Sequence, residues 1–220
     1  MSPSKPEADT KEAAVTALEG DGSTRQRILD QALVLFAEHG FAGTSMRQLA
    51  RAVGLRESSI YNHFVGKEEI YSTLIDQWGP GAFVERLESA EYRALAGDPA
   101  AFCRKCGVDL IDRWMDRRER LFMAVINGER RGEGRQRFYD MLFREENERL
   151  ADYFQGFALA GLIKTTDARE TARIFSSGLI CLRMEYVNTP EHPAPRRVIE
   201  TAMARYLNTF LLLLGTESKA

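Results

Sequence analysis

The stretch TSMRQLARAVGLRESSIYNHFVGKEEIY, residues 44–71, decides the fold class of this chain. Its first part predicts a short helix, whose apolar face is formed by Met46, Leu49, Ala50 and Val53. Gly54 ends that helix, a second short helix follows in RESSIYNHF, and a longer one begins in GKEEIY. Two short helices joined at Gly54 and Leu55 form a helix-turn-helix pattern, because the tight reversal needs a residue that tolerates positive φ.

An amphipathic helix precedes this pattern in STRQRILDQALVLFAEHG, residues 23–40. Its apolar positions follow the spacing i, i+4, i+7, i+8 and are Ile28, Ala32, Leu35 and Phe36. Ser23 or Thr24 can cap its start and Gly40 can end it. We expect this helix to brace the two short ones around a small apolar core formed by Leu49, Val53 and Ile60.

The rest of the chain also has helical patterning, and alternating strand patterns are nearly absent. Asp98 followed by Pro99 predicts a helix start, an uninterrupted long helix is predicted over residues 135–161, and Asp167 caps the next. A Pro-rich link separates that helix from a last one over residues 197–215. The sequence therefore predicts an all-α protein of about nine helices.

Composition limits the class of protein. The chain of 220 residues is 44% hydrophobic and has a formal net charge of −2, which is ordinary for a globular protein with a sizeable core. Its apolar runs fall far short of the ~20 residues that a membrane-spanning helix needs. Residues 1–22 mix Pro, Ser, Gly and both charges without the apolar region of a signal peptide, so we expect a disordered tail and a cytoplasmic protein.

The three cysteines leave alternatives open. Cys103 and Cys106 have CxxC spacing, and Cys181 stands apart. A zinc site needs about four ligands, and the sequence has no second cysteine pair or HxxxH partner. We favour small buried thiols over a redox switch or a metal site, and expect neither a metal nor a cofactor.

Charge along the chain is uneven. Residues 44–67 contain one acid, Glu57, and four bases, which are Arg47, Arg51, Arg56 and Lys67, whereas residues 68–91 have a net charge of −5. A local basic edge of this kind is the pattern expected for contact with nucleic-acid phosphates.

Residues 24–75 resemble the N-terminal DNA-binding domain of the tetracycline-repressor (TetR) family. The markers are LFAEHGFAGTS, then LA..VG, then IYNHF..KEE. The resemblance implies a helix-turn-helix domain over residues 23–81, with the motif itself at 45–64. It also implies a helical effector-binding and dimerisation domain over residues 82–220.

The resemblance implies DNA contacts by eleven residues. Those expected at phosphates are Thr44, Ser45, Arg47, Tyr61, His63 and Lys67. Those expected at base edges are Arg56, Glu57, Ser58, Ser59 and Asn62. The chain departs from the family at residues 56–59, where Ser-Lys-Gly-Thr is common, so Glu57 either accepts from cytosine N4 or is a solvated first-turn carboxylate.

The resemblance further implies a homodimer formed by the last two long helices, a palindromic double-stranded operator, and a small, largely apolar or aromatic effector. Candidate lining residues for the effector are Trp114, Met115, Phe122, Met123, Phe138, Phe143, Phe157, Phe175 and Met184. Polar anchors could come from Arg113, Glu129, Arg183 or Glu185.

The sequence thus predicts a ligand-responsive transcriptional regulator, most often a repressor, that associates with the bacterial nucleoid and is not an enzyme. One alternative is a helical ligand-binding module that has lost operator binding. The other is an all-helical enzyme that uses Tyr61, His63 and Glu68 or Glu69 in proton transfer.

Overall fold

The computed structural model describes residues 23–128, 133–187 and 193–216. Within these ranges the secondary structure is helical, which confirms the predicted all-α class. The elements are α1 (Thr24–Gly43), α2 (Met46–Val53), α3 (Glu57–Ile60), α4 (Lys67–Trp78), α5 (Gly81–Leu87), α6 (Ala90–Arg93), α7 (Pro99–Met115), α8 (Arg117–Gly128), α9 (Glu133–Asp140), the π-helical segment Met141–Glu146, α10 (Asn147–Leu159), α11 (Ala168–Tyr186) and α12 (Arg196–Leu213). The predicted tail, residues 1–22, lies outside the described residues. No described helix is both long and apolar enough to cross a membrane.

Side-chain caps begin the helices where the sequence predicts them. The Ser23 hydroxyl accepts from the Gln26 amide at 3.3 Å, and the Asp98 carboxylate accepts from the Ala101 amide at 2.8 Å. Asp167 accepts from the amides of residues 169 and 170. Each cap satisfies amides that have no partner inside the first helical turn. Inside α1, Gly40 has φ 74°, so the predicted helix end is a kink that is followed by three more helical residues.

The described chain forms two compact units. The first contains residues 23–74 and 121–128, and the second contains residues 75–120, 133–187 and 193–216. The predicted domains over residues 23–81 and 82–220 stay predictions; they are not the same division as these compact units, since residues 121–128 join the first unit.

The first unit packs around the helix-turn-helix. Its buried side chains include the predicted Leu49, Val53 and Ile60, together with Ile28, Phe36 and Phe64. Burying a side chain of this size contributes about 1.5–3 kcal/mol. These contacts hold α2 and α3 against α1, and so set the direction in which the exposed side of the motif points.

Aromatic rings dominate the core of the second unit. Phe154 contacts four other rings, with centroid distances of 6.3 Å to Phe102, 6.2 Å to Phe157, 5.6 Å to Phe175 and 5.8 Å to Phe210. These edge-to-face contacts tie α10, α11 and α12 together.

The π-helical segment Met141–Glu146 interrupts the long helix that we predicted over residues 135–161. A π turn contains more residues than an α turn, so it changes which side chains after it face the core. Glu146, in a run of charged residues, is buried here with 8% of its surface exposed. Hydrophobic periodicity alone gives no sign of such an insertion.

Candidate nucleic-acid interface

The turn between α2 and α3 has the geometry that the sequence predicts. Gly54 adopts φ 75°, and its amide donates to the carbonyls at the end of α2. At the start of α2, Ser45 and Gln48 form a reciprocal capping box: the Ser45 hydroxyl accepts from the Gln48 amide and the Gln48 side chain accepts from the Ser45 amide. Ser45 is exposed, so the amide end of α2 faces outward beside it.

Thr44 differs from its expected role. Its side chain is 2% exposed, and its hydroxyl donates to the carbonyls of Leu35 and Gly40 at 3.2 Å and 2.9 Å. Because the hydroxyl is turned inward to the kinked end of α1, it is not placed for a phosphate. Thr44 supports the loop, and Ser45 next to it faces solvent.

The second helix of the motif, α3, is shorter than the sequence predicts. α3 contains only Glu57–Ile60, and the turn that follows is closed by amides donating to the Ile60 carbonyl from His63 at 2.9 Å and Phe64 at 3.0 Å. Ile60 and Phe64 are fully buried. The residues that face solvent around them are Arg47, Arg56, Glu57, Ser58, Tyr61 and Asn62, while Ser59 and His63 are half-buried.

Two arginines that we did not single out from the sequence hold this element in place. The Arg27 guanidinium donates to the Val53 carbonyl at 3.0 Å and so caps the end of α2. The Arg25 guanidinium lies 4.5 Å from the centre of the Phe64 ring, a cation–π contact. Arg25 and Arg27 are two residues apart near the start of α1. In the sequence, polar residues at this place indicate only a solvated first helical turn.

Lys67 is bound within the protein. Its ammonium donates to the carbonyls of Phe41 at 2.7 Å and Thr44 at 2.8 Å, and lies 4.4 Å from the centre of the Phe41 ring. An ammonium has three N–H donors, so these two bonds use most of its capacity. Lys67 therefore joins the end of α1 to the start of α4, which is a different role from the phosphate contact that we expected.

We predict that Lys67→Met lowers the stability of the first unit by about 1–2 kcal/mol, because two charge-assisted hydrogen bonds are lost. The measurement is amide hydrogen exchange over residues 40–70, with thermal unfolding of the full chain. Arg47→Met is the matched control, since Arg47 is exposed and its loss is expected to leave both readouts unchanged. Unchanged exchange in Lys67→Met would contradict this structural role.

The candidate effector residues belong to both compact units, and they include core and surface positions. Trp114, Phe138, Phe157 and Phe175 are buried in the second unit, and Met115 is half-buried there. Phe122 is buried and Met123 half-buried within the first unit. Phe143 and Met184 are more than half exposed, at 57% and 63%. The buried rings are core residues, and the exposed pair lies on the surface.

Polar candidates in the second unit have a clearer arrangement. The Arg183 guanidinium donates to both carboxylate oxygens of Glu119 at 2.6 Å and 2.8 Å, and Arg113 Nε lies 3.9 Å from the same carboxylate. Glu119 and Glu146, both buried, were missed by the sequence interpretation. The sequence contained one signal for the burial of Glu146. Phe138, Leu142, Glu146 and Leu150 are four residues apart, so the carboxylate lies in a row of apolar positions. Glu185 is exposed, and Glu129 lies outside the described residues.

The cysteine pair lies in the core of the second unit. Cys103 and Cys106 are fully buried, and burial raises the pKa of the Cys103 thiol to about 12. The pKa of Cys106 is raised by the same cause. Protonated thiols are poor metal ligands and poor nucleophiles. In the described part of the chain, no group of three or more His, Cys, Asp or Glu side chains is arranged to hold a metal ion.

Known proteins match the chain in two ways. The model of the family described as bacterial regulatory proteins, tetR family, matches residues 28–74. The HTH-type transcriptional regulator AcrR of Shigella flexneri is 34% identical over 105 residues, which are 47% of each chain. The negative transcriptional regulator IcaR of the Staphylococcus epidermidis biofilm operon icaADBC is 35% identical over 52 residues, 24% of this chain and 28% of IcaR. The chain thus spans about half, or less, of the length of these relatives.

Solved structures share the fold over most of the chain. NalD, the secondary repressor of the MexAB-OprM multidrug efflux pump in Pseudomonas aeruginosa, has a TM-score of 0.67 at 20% identity and covers 89% of this chain and 98% of its own. The complex of SmeT with triclosan has a TM-score of 0.67 at 19% identity and covers 87% of this chain and 91% of its own. SmeT is the repressor of the Stenotrophomonas maltophilia multidrug efflux pump SmeDEF. The motif at residues 45–64, folded as a helix-turn-helix, lies within residues 28–74, the segment that matches the model of the tetR family of bacterial regulatory proteins.

Proposed function

We propose that this protein is a sequence-specific DNA-binding transcriptional regulator, a repressor that a small-molecule ligand releases from its operator. One observation carries the proposal: the helix-turn-helix buries Ile60 and Phe64 and presents Arg47, Arg56 and Asn62 to solvent. The relatives support it, since IcaR is a negative transcriptional regulator and SmeT is a repressor that was solved with triclosan bound. A cytoplasmic location on the chromosome is part of the proposal.

In this proposal α3 enters the major groove and α2 lies across the DNA backbone. Arg56, at the N-cap of α3, and Asn62, in the turn after it, are exposed and have the side chains that pair with guanine and adenine. The amide end of α2 beside Ser45, together with Arg47 and the Tyr61 hydroxyl, would contact phosphates. Glu57 lies in the first turn of α3, where a carboxylate suits the helix dipole.

The enzyme alternative receives no support from the geometry. The Glu69 carboxylate accepts from the Val65 amide at 2.5 Å, so it caps the turn before α4 and is not placed to relay a proton. Glu68 is exposed and Tyr61 is half exposed, so neither lies in an enclosed site that could hold a substrate.

Two copies of the chain are proposed to associate through α11 and α12. Both helices have large apolar side chains that are exposed in the single chain: Ile174 at 53% and Met184 at 63% on α11, and Val198 at 38% and Leu213 at 77% on α12. Exposed apolar surface of this kind marks an interaction site. A two-helix contribution from each copy gives a four-helix interface with twofold symmetry, which suits a palindromic operator.

The test is binding of the full chain to a fluorescent duplex from its own upstream intergenic region, with competitor DNA and a salt series. We predict that Arg56→Ala and Asn62→Ala each weaken specific binding at least tenfold and relax sequence preference, because each removes one base-edge contact. Arg47→Met is expected to weaken binding to specific and competitor DNA alike. It should also reduce the salt-dependence slope by about 0.9, the contribution of one phosphate.

Size-exclusion chromatography with light scattering, run on the same samples, gives the oligomeric state. Glu85→Gln is the matched control for DNA binding and should bind like the natural protein, because it changes one exposed charge outside the helix-turn-helix. Binding that ignores sequence and is unchanged by Arg56→Ala would overturn the proposed function. It would leave the helical second unit to be studied as a ligand-binding module.

A further inference from the structure

Five elements of the second unit contribute to one buried polar group, which we call the interior polar cluster. It consists of Trp78 from α4, Arg113 from α7, Glu119 from α8, Glu146 from the π-helical segment and Arg183 from α11. Arg113 is at its centre: its guanidinium donates to the carbonyls of Trp78 and Gly79, the second at 2.9 Å, and approaches Glu119. A cluster that draws on five elements is built by the fold and not by one helix.

Part of this cluster is internally satisfied and part is not. Arg183 and Glu119 form a bidentate pair, and the Arg183 guanidinium lies 5.9 Å from the centre of the Trp114 ring. By contrast, the buried Trp78 Nε1–H and Arg183 Nε–H find no acceptor among the described residues. Glu146 is only 8% exposed and lies near the Arg113 guanidinium. Buried polar atoms without partners are costly, and two in one cluster require a reason.

The charges of the cluster indicate what would satisfy these atoms. Burial raises the pKa of Glu146 to about 7, and the nearby Arg113 guanidinium offsets part of that rise. With Glu146 protonated, two guanidinium groups face one carboxylate, so the cluster has a net positive charge and its unused groups are O–H and N–H donors. Cys106 of α7 is also near Glu146 and stays neutral, because its thiol pKa is raised. On α5, which packs on the π-helical segment, Glu85 is exposed and Arg86 pairs with Asp109 at 3.0 Å.

We propose that the interior polar cluster is the anchor for this regulator's effector and that the effector is an acid, a carboxylate attached to an apolar body. A carboxylate offers acceptors to the unused donors and balances the excess positive charge. The Trp114 ring and the Met115 thioether next to the cluster suit the apolar body of such an effector. Met side chains adapt to irregular shapes. A cationic amine would instead meet two guanidinium groups. The proposal rests on the proposed function, whose ligand class it names.

The anchor makes effector binding depend on pH. Only the form with protonated Glu146 presents the full set of donors, so the apparent affinity scales with the fraction of that form. With the Glu146 pKa at about 7, this fraction falls about tenfold between pH 6 and pH 8. Carboxylate binding is therefore expected to weaken about tenfold over that interval and to take up a proton near neutral pH.

Glu146 also makes the stability of the protein without effector depend on pH. A carboxyl whose pKa is raised on folding binds more protons in the folded state, so its effect is to lower stability as pH rises between about 4.5 and 7. Glu146→Gln keeps the shape and the donor of the protonated acid and removes the titration. The midpoint of thermal unfolding in Glu146→Gln should therefore exceed that of the natural protein at pH 8 and match it below about pH 4.5.

The experiment uses the full-length protein without DNA, so that its outcome is independent of operator binding. The probes, at millimolar concentration, share two apolar bodies and differ in the polar group. The carboxylates are benzoate and octanoate, the alcohols are benzyl alcohol and octanol, and the amines are benzylamine and octylamine. Thermal shift and isothermal titration calorimetry are measured at pH 6 and pH 8. We expect the two carboxylates to bind, more tightly at pH 6, and the alcohols and amines to bind at least tenfold more weakly.

Two variants assign the effect to the cluster. Glu146→Gln should bind carboxylates at pH 8 as tightly as the natural protein does at pH 6, whereas Glu145→Gln, the exposed neighbour, should behave like the natural protein. Preference for amines or alcohols, a failure of both carboxylates to bind, or pH dependence that persists in Glu146→Gln each overturns the proposal. Carboxylate binding by a chain that does not recognise DNA would uphold the anchor while rejecting the regulator function.

Discussion

Replacing Glu119 by alanine is expected to destabilise the second unit by about 3–5 kcal/mol, the largest single effect that we predict. Glu119 is 1% exposed and accepts both hydrogen bonds from Arg183, which is itself largely buried, while Arg113 lies 3.9 Å away. Its removal leaves two buried guanidinium groups facing each other without a counter-charge. Since native proteins are stable by only about 5–15 kcal/mol in total, much of the stability of the chain would be lost.

The measurement is urea-induced unfolding followed by tryptophan fluorescence, because the Arg183 guanidinium lies over the Trp114 ring. Glu170→Ala is the matched control: Glu170 makes two hydrogen bonds to Arg173 on the surface of α11, and its loss should leave the unfolding midpoint unchanged. The double variant Glu119→Leu, Arg183→Met should recover much of the loss, because apolar residues of similar size replace a buried ion pair at little cost. Equal effects in Glu119→Ala and Glu170→Ala would show that burial of the pair is irrelevant.

Gly178→Ala has the second-largest expected effect, a loss of about 3 kcal/mol through overpacking between α11 and α12. A Cβ at residue 178 would lie 2.6 Å from Tyr206 Oη and still closer to two atoms of the ring. The ring cannot move without a cost, because its hydroxyl donates to the Phe175 carbonyl at 2.7 Å and it packs on Phe210. Thermal unfolding of the full chain measures the loss.

Gly156→Ala is the control for Gly178→Ala. Gly156 is also a helical glycine, but a Cβ there has no atom within 4 Å, so alanine should raise stability by up to about 1 kcal/mol through its higher helix propensity. Tyr206→Ala should abolish the difference between glycine and alanine at residue 178, because the clashing ring is gone. A stable Gly178→Ala protein with Tyr206 intact would show that α11 and α12 separate easily.

Gly178 illustrates a limit of sequence patterns. Its small size, with that of Ser176 and Ala172, would suit close helix approach within the chain or at a dimer face equally well. In the structure Tyr206 of the same chain occupies the space at Gly178, and Ser176 is buried with its hydroxyl bonded to Asn147 at 2.7 Å. Periodicity identifies which residues are small or apolar, but it does not distinguish packing within a chain from packing between chains.

The sequence by itself determined the all-α class and the helix-turn-helix with its resemblance to the tetR family, because those depend on local chemistry. Gly54 must take positive φ, Ser45 must cap α2, and the positions of Leu49, Val53 and Ile60 repeat on one face. Such signals act over a few residues and can be read directly. They also placed Arg56 and Asn62 on the exposed side of the motif.

Only the tertiary structure decided what the polar side chains do. Lys67 reaches back to carbonyls 23 and 26 residues away, Arg183 meets Glu119 across 64 residues, and Glu146 is buried at the end of the π-helical segment. A charged side chain is stable either in solvent or with a buried partner, and its sequence neighbours are the same in both cases. The partner is fixed by the packing of distant helices, so the structural lysine and the interior polar cluster could be found only in the folded chain.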